Sequence, residues 1–426
     1  MNSKFVLRTG SFNLAPLAAA IALSASGMAS AATLTVNTGS PANAHGVCSL
    51  LEAVNSINRG SASLHCTNSG EAFGNNDSIG FSKGFAINFA KPTHGTSSAL
   101  VLSKPVTING GGTRQQLQVT IARSAQATTD FRLIESSANL VLNNVLIAGG
   151  SVVGDGGGIK LSGDASFRAN NSALNGNAAS GRGGGIFADS SAVTLTDSSV
   201  SGNVAAVAGG GIYTYAGEAT ITNATVSDND GGQLGGGLAV GALQSNSSTI
   251  SGNSAVNGGG AYTIMPSHLV NTTVSGNAAT VIGGGIYASG NISLEFTTIA
   301  NNSVAANGTG AGLVLLFDGN SAVASMITGN GSGQDIDGPY SAMLSGNHNL
   351  VGSIGANVHL PPDTLRCDPN LGALMDNGGP TLTMAPASLS CAIDAGPSTT
   401  SVVDDQRGAL RVVGLHADIG AVEEQN

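Results

Sequence analysis

Charge is what this chain has least of. Lys, Arg, Asp and Glu together make up 9% of its 426 residues, where an average soluble protein has roughly 25%. Helix bundles and α/β enzymes solvate their outer faces with those residues, so the composition argues against both. Tryptophan is missing and aromatics are 4%, yet apolar residues reach 41%, the reverse of the polar, highly charged balance that keeps a chain unfolded. After the N-terminal segment no stretch reaches 18 apolar residues, so none reads as a membrane span. Phosphate-loop (G-x-x-x-x-G-K-[ST]) and H-E-x-x-H motifs are also missing from the sequence, and with them the nucleotide and zinc-protease readings. Glycine, by contrast, is abundant at 63 residues, about twice its usual share. The expectation is an all-β chain with a surface of Ser, Thr, Asn and Gly.

The N-terminus has the layout of a secretory signal peptide. Lys4 and Arg8 precede an apolar stretch from Leu14 to Ala25, and Ala29-Ser30-Ala31 supplies a small-residue cleavage site before Ala32. The remaining chain carries 13 basic and 25 acidic residues, a net charge of −12, which makes nucleic acid and anionic membranes poor partners. Four cysteines suit an exported protein. Their spacing predicts one staple near each end, Cys48–Cys66 and Cys367–Cys391, although four cysteines permit three pairings. No C-x-x-C or His-rich spacing accompanies them, so no metal or other cofactor is expected.

The middle of the chain repeats. Three glycines and an aliphatic residue recur at Gly156–Ile159, Gly183–Ile186, Gly209–Ile212, Gly235–Leu238 and Gly283–Ile286, with variants at Gly258–Ala261 and Gly310–Leu313. Successive third positions are 27, 26, 26, 23, 25 and 27 residues apart. A second marker shares the period and ends at Asn177, Asn203, Asn229, Asn253, Asn277, Asn302 and Asn330. Short alternating stretches such as Val193-Thr-Leu-Thr read as strands. About 25 residues with two or three short strands suit one rung of a parallel β-helix, whose rungs stack at roughly 4.8 Å. The glycines are expected at positive φ. The asparagines are expected to take left-handed angles at a corner and bond to their counterparts above and below.

Columns of equivalent residues can then be read directly. Ile159, Ile186, Ile212, Leu238, Ala261, Ile286 and Leu313 form a uniformly apolar column and face the core. The next position, Lys160, Phe187, Tyr213, Ala239, Tyr262, Tyr287 and Val314, is then sent outward by strand alternation. Phe187, Tyr213, Tyr262 and Tyr287 thus become candidate binding residues, an exposed aromatic stripe suited to sugar rings or a partner surface; the competing reading is that the rings merely stabilise neighbouring rungs.

A catalytic set is hard to assemble. A uronate lyase needs a basic residue to abstract a proton, and from Gly183 to Leu365 there is no Lys or Arg against ten Asp or Glu. A hydrolase needs two carboxylates about 5–9.5 Å apart. Asp228 and Asp230 share a face if extended, as do Asp335 and Asp337, but Asp228 stands where neighbouring rungs have Gly202 and Gly252, which favours a turn role. The charged group Asp404, Asp405, Arg407, Arg411, His416 and Asp418 reads better as ion pairs and turn bonds covering a solenoid end.

Several stretches resemble known families. Cys48-Ser-Leu-Leu-Glu-Ala-Val resembles the CSLREA motif of bacterial exported proteins, with Leu51 in place of its Arg. Gly283-Gly-Gly-Ile-Tyr and Thr273-Val-Ser-Gly-Asn resemble β-helix repeats of the polymorphic outer-membrane protein type. Asn377-Gly-Gly-Pro-Thr-Leu-Thr, Ala392-Ile-Asp-Ala-Gly, Asp405-Gln-Arg-Gly and Asp418-Ile-Gly-Ala-Val-Glu resemble the choice-of-anchor Q C-terminal domain. The resemblance implies a right-handed, pectin-lyase-like parallel β-helix exported by a bacterium, and it carries over no catalytic residue. Relatives often continue into an anchor or a β-barrel, for which the three residues after Glu423 leave no room. The expected organisation is a signal peptide (1–31), an N-terminal cap and first rungs (32–135), β-helix repeats (136–357) and a C-terminal capping domain (358–426). The expected function is a secreted or loosely surface-associated, non-enzymatic surface for adhesion or for contact with a polysaccharide or cell-surface glycan. The alternative is a polysaccharide hydrolase using Asp228 and Asp230.

Overall fold

A computed structural model describes residues 31–425 apart from 43–45, 94, 96 and 114; the signal-peptide expectation lies outside the described residues. The chain winds into a parallel β-solenoid of about ten turns with about 26 residues each, as the spacing predicts. A central turn shows how: Ile186–Phe187, Val193–Thr196, Ser199–Ser201 and Val204–Ala205 follow one another around the coil. Each pairs in parallel with its equivalent one turn on, as Ile186↔Ile212, Val193↔Ala219 and Ser199↔Thr225. Among the described residues the first two strands of every turn build one sheet of 21 strands and the third builds one of 11. We call these the first, second and third faces.

The apolar column lies inside: Ile159, Ile186, Ile212, Leu238, Ala261, Ile286 and Leu313 are all fully buried. The three glycines ahead of it have three different reasons. Gly183 sits at φ +66, a left-handed angle that a side chain resists. A Cβ on Gly184 would lie 2.4 Å from the Val204 carbonyl oxygen and 2.5 Å from that of Gly210. One on Gly185 would meet the Gly211 carbonyl oxygen at 2.6 Å. Positive φ therefore explains the first glycine of each triplet, and close packing of adjacent turns explains the other two.

The asparagine column forms a buried ladder. Asn203 Oδ1 accepts from both the backbone N (3.0 Å) and Nδ2 (2.9 Å) of Asn177, and Asn203 Nδ2 donates to the Leu174 carbonyl. The same triad of bonds repeats at Asn229, Asn253, Asn277, Asn302 and Asn330. The expected left-handed angle falls one residue earlier, on Gly176, Gly202, Asp228, Gly252, Gly276, Asn301 and Gly329. The ladder itself keeps ordinary backbone angles and turns its carboxamides inward.

Both ends depart from plain rungs. Near the N-terminus Leu50–Arg59 form a helix, capped by Ser49, whose hydroxyl accepts from Glu52 N, and ended by the left-handed Gly60. Leu50, Ala53, Val54 and Ile57 enter the core, and Cys48–Cys66 ties the helix to the loop beyond it. Cys367–Cys391 is the second disulfide; both pairings follow the spacing argument. From residue 366 on, the chain lies along the outside of the third face. Thr249 Oγ1 donates to the Leu382 carbonyl, Thr273 Oγ1 to Gln406 Oε1, Asn271 Nδ2 to the Asp404 carbonyl, and Ala421 N to Thr298 Oγ1. The C-terminal segment therefore flanks the solenoid across several turns in addition to packing on its last one, where Met326, Leu350, Ala392 and Ile419 cluster. No helix of the described residues is long and apolar enough to cross a membrane.

Candidate functional site

The outward column divides into two halves. Phe187 and Tyr213 point away from the main core, as alternation requires, but they are only 6% and 7% exposed. Their rings stack at 5.5 Å between centroids, 1° from parallel. Arg182 closes them over, its guanidinium 5.2 Å and 5.0 Å from the two centroids. Ala208, Leu234 and Ala239 complete this small outer cluster. Arg182 Nη1 donates to the Tyr213 hydroxyl at 3.2 Å, and Asp155 accepts from the Arg182 backbone N at 2.8 Å and pairs with its side chain at 3.4 Å. The Tyr213 bond raises the Arg182 pKa, against desolvation, and Asp155 adds to the rise. The expectation that Phe187 and Tyr213 form part of an exposed stripe is thus corrected: the residue one before the glycine triplet covers them.

Ala239 interrupts the rings, and beyond it the column opens. Tyr262 and Tyr287 are half-buried, with centroids 5.3 Å apart and planes tilted by 52°. Among the described residues no cation lies over either ring. The column continues through buried Val314 to Asp337. At the corner after Asp337 stands Tyr340, 61% exposed. Burial, then the neighbouring Tyr262 and Tyr340, push the Tyr287 phenol above its ordinary 10.0. Phe317 and Met343 are also exposed nearby, and Asp318 Oδ1 accepts from Met343 N at 2.8 Å. Column reading missed Tyr340 and Phe317 because both lie on corners, where strand alternation gives no direction; the available signal was that they occupy equivalent corners of adjacent turns.

Asp228 and Asp230 are exposed turn residues. Asp228 has φ 55, so residues 228–230 are not extended and the expected shared face does not form. Asp230 Oδ1 accepts from Gly232 N at 3.0 Å. Asp335 is buried and ends the ladder: its Oδ1 accepts from Asn330 N and Nδ2 at 2.9 and 2.7 Å, its Oδ2 from Ser353 N and Oγ at 2.7 and 2.9 Å. Asp337 Oδ1 accepts from Gly338 N at 2.8 Å.

Arg411 docks the C-terminal segment on the solenoid, and Asp405, Arg407, Asp418 and Glu423 are bonded within the segment. Arg411, fully buried, donates to Asn271 Oδ1 at 2.5 Å and to the Gly420 and Ala421 carbonyls, and lies 4.3 Å over the Phe296 ring. Burial lowers its pKa to about 10 against the pull of Asp405, Glu423 and Asp418. Arg407 pairs with Asp405 at 2.8 Å, and Asp418 accepts from the backbone N of Asp394 and Glu424. Burial pushes Glu423 up to about 7 and raises Asp418 as well.

No curated protein matches the chain. Residues 143–331, less than half of it, match the family model described as periplasmic copper-binding protein (NosD). Copper prefers thiolate, thioether and imidazole donors, and the described residues do not gather such a set. All four cysteines are in disulfides, and no group of three or more His, Cys, Asp or Glu able to hold a metal occurs among the described residues. Residues 143–331 contain one histidine, His268, and two methionines, of which Met326 is buried. The likeness to that periplasmic family is therefore a likeness of β-helix rungs, and it leaves the copper donors unmatched.

Proposed function

We propose that this is an exported, non-enzymatic β-helix protein that presents an extended surface for adhesion or glycan contact, with Tyr262 and Tyr287 as its contact residues. One observation carries the reading: two half-buried rings 5.3 Å apart stand on one sheet face, and among the described residues no cation lies over them. Export is supported by the N-terminal segment, by the two disulfides, which persist in oxidising compartments, and by the likeness to a periplasmic family. Phe187 and Tyr213 serve as the sealed, supporting half of the column.

A glycan array with the purified chain tests this. Tyr262→Ser with Tyr287→Ser should abolish the signal, whereas Phe187→Ser should lower the unfolding midpoint and leave the bound glycan class unchanged. A signal indifferent to Tyr262 and Tyr287 would remove the surface assignment. New reducing ends released from a polysaccharide panel, and lost in Asp228→Asn or Asp230→Asn, would instead establish a hydrolase.

A further inference from the structure

The two halves of the aromatic column differ in their cations. In the first half the rings of Phe187 and Tyr213 hold Arg182, which a carboxylate, Asp155, balances, and Lys160 adds a second cation 5.9 Å from the Phe187 centroid. Arg182 stands immediately before its glycine triplet, and its equivalents on later turns, paired rung by rung, are Ala208, Leu234, Asn257, Ile282 and Thr309. Asn257 therefore stands to Tyr262 and Tyr287 as Arg182 stands to Phe187 and Tyr213. The second half has its rings and, in Asp337 at the end of the same column and Asp318 on the neighbouring corner, its carboxylates. No Lys or Arg occurs anywhere from residue 183 to 365.

We propose that a ligand supplies the missing cation, and that the ligand is a glycan bearing free amino groups, its ammonium over Tyr262 and Tyr287 and its sugar faces against Tyr340 and Phe317. An ammonium within about 6 Å of a tyrosine ring is attracted by the ring face, and the uncompensated acids draw the same charge. Anionic glycans meet the opposite field. A cationic peptide is the less suitable source, because extended peptides dock on free strand edges or in grooves, and the strands of this face are already paired turn to turn. The inference rests on the glycan-binding reading above and adds the charge class.

The test uses the purified chain with soluble N-acetylated chitin oligosaccharide, the same oligosaccharide deacetylated, polygalacturonate and polylysine. The deacetylated form should bind roughly three- to tenfold more tightly than the acetylated one, and the advantage should shrink as salt rises. Asp318→Asn with Asp337→Asn should erase that preference. Asn257→Arg should place a guanidinium over Tyr262 and Tyr287 and abolish binding of both oligosaccharides, with the unfolding midpoint preserved as the folding control. Equal binding of both forms, still lost in Tyr262→Ser/Tyr287→Ser, overturns this inference and leaves the glycan reading standing. So does an Asn257→Arg variant, folded as before, that binds undiminished. Binding of polylysine in preference to the amino sugar overturns it in favour of a peptide. Binding of no polysaccharide overturns both.

Discussion

At the scale of single residues, the buried carboxamide ladder is the most demanding feature. Asn229 accepts twice from Asn203 and donates to the Val200 carbonyl. Replacing it by Ala strands those groups in the core, at about 1–3 kcal/mol each. The expected result for Asn229→Ala is a fall in unfolding free energy of several kcal/mol by urea titration. Exposed Asn175→Ala should change little, since it loses one surface bond to Ser201. The sequence showed that these asparagines stack, because both markers kept one period. It did not show which residue would take the left-handed angle: Gly, Asp and Asn all occur at that neighbouring position, and each tolerates it. A second residue-scale outcome concerns metal. With one histidine and one unburied methionine in residues 143–331, excess copper should leave the unfolding midpoint unmoved; a rise of the midpoint with metal concentration would restore a copper site.

At the scale of elements, the C-terminal segment is a strap whose docking is expected to depend on pH. Glu423 lies beside Arg411 and Asp418 and has its pKa raised by burial from 4.5 to about 7. The docked segment then binds this proton more tightly than a released one. Its contribution is fully present below about pH 4.5 and is lost as pH rises through about 7. Asp418 acts in the same direction. Limited proteolysis should therefore cut the 400–425 segment faster at pH 8 than at pH 5.5, and Glu423→Gln should flatten that difference. The sequence foresaw ion pairs and turn bonds among these charges. It placed them over a solenoid end, since nothing local distinguishes an end from a flank; the partners Thr249, Asn271, Thr273 and Thr298 lie more than a hundred residues away.

At the scale of the whole molecule, the scarcity of charge becomes an axial pattern. Residues 32–182 carry ten basic and seven acidic residues, 183–365 none and ten, and 366–426 three and eight. Stacked turns would set like charges directly opposite each other, which destabilises a sheet, so the rungs are solvated by Ser, Thr and Asn. The strap also divides the third face. Amides of Thr273–Ser275 and Thr298–Ala300, beneath it, should exchange hydrogen more slowly than those of Ala173–Asn175, outside its contacts. Exchange mass spectrometry at peptide resolution reads that contrast, and equal rates would mean that the strap adds no protection.

Repetition is what made so much of this protein readable. A period near 26 sets turn length, stacks equivalent residues and makes burial predictable from alternation alone, so the solenoid, its apolar column and both local disulfides were determined by sequence. Tertiary structure alone decided whether an outward residue is also exposed. Phe187 and Tyr262 occupy equivalent positions on equivalent strands, yet one is sealed and the other open. The difference lies in what covers the ring, Arg182 from a separate corner of the coil together with Lys160 in one case and, among the described residues, no cation in the other, and solvent access depends on what arrives over a surface as well as on which way the strand points it.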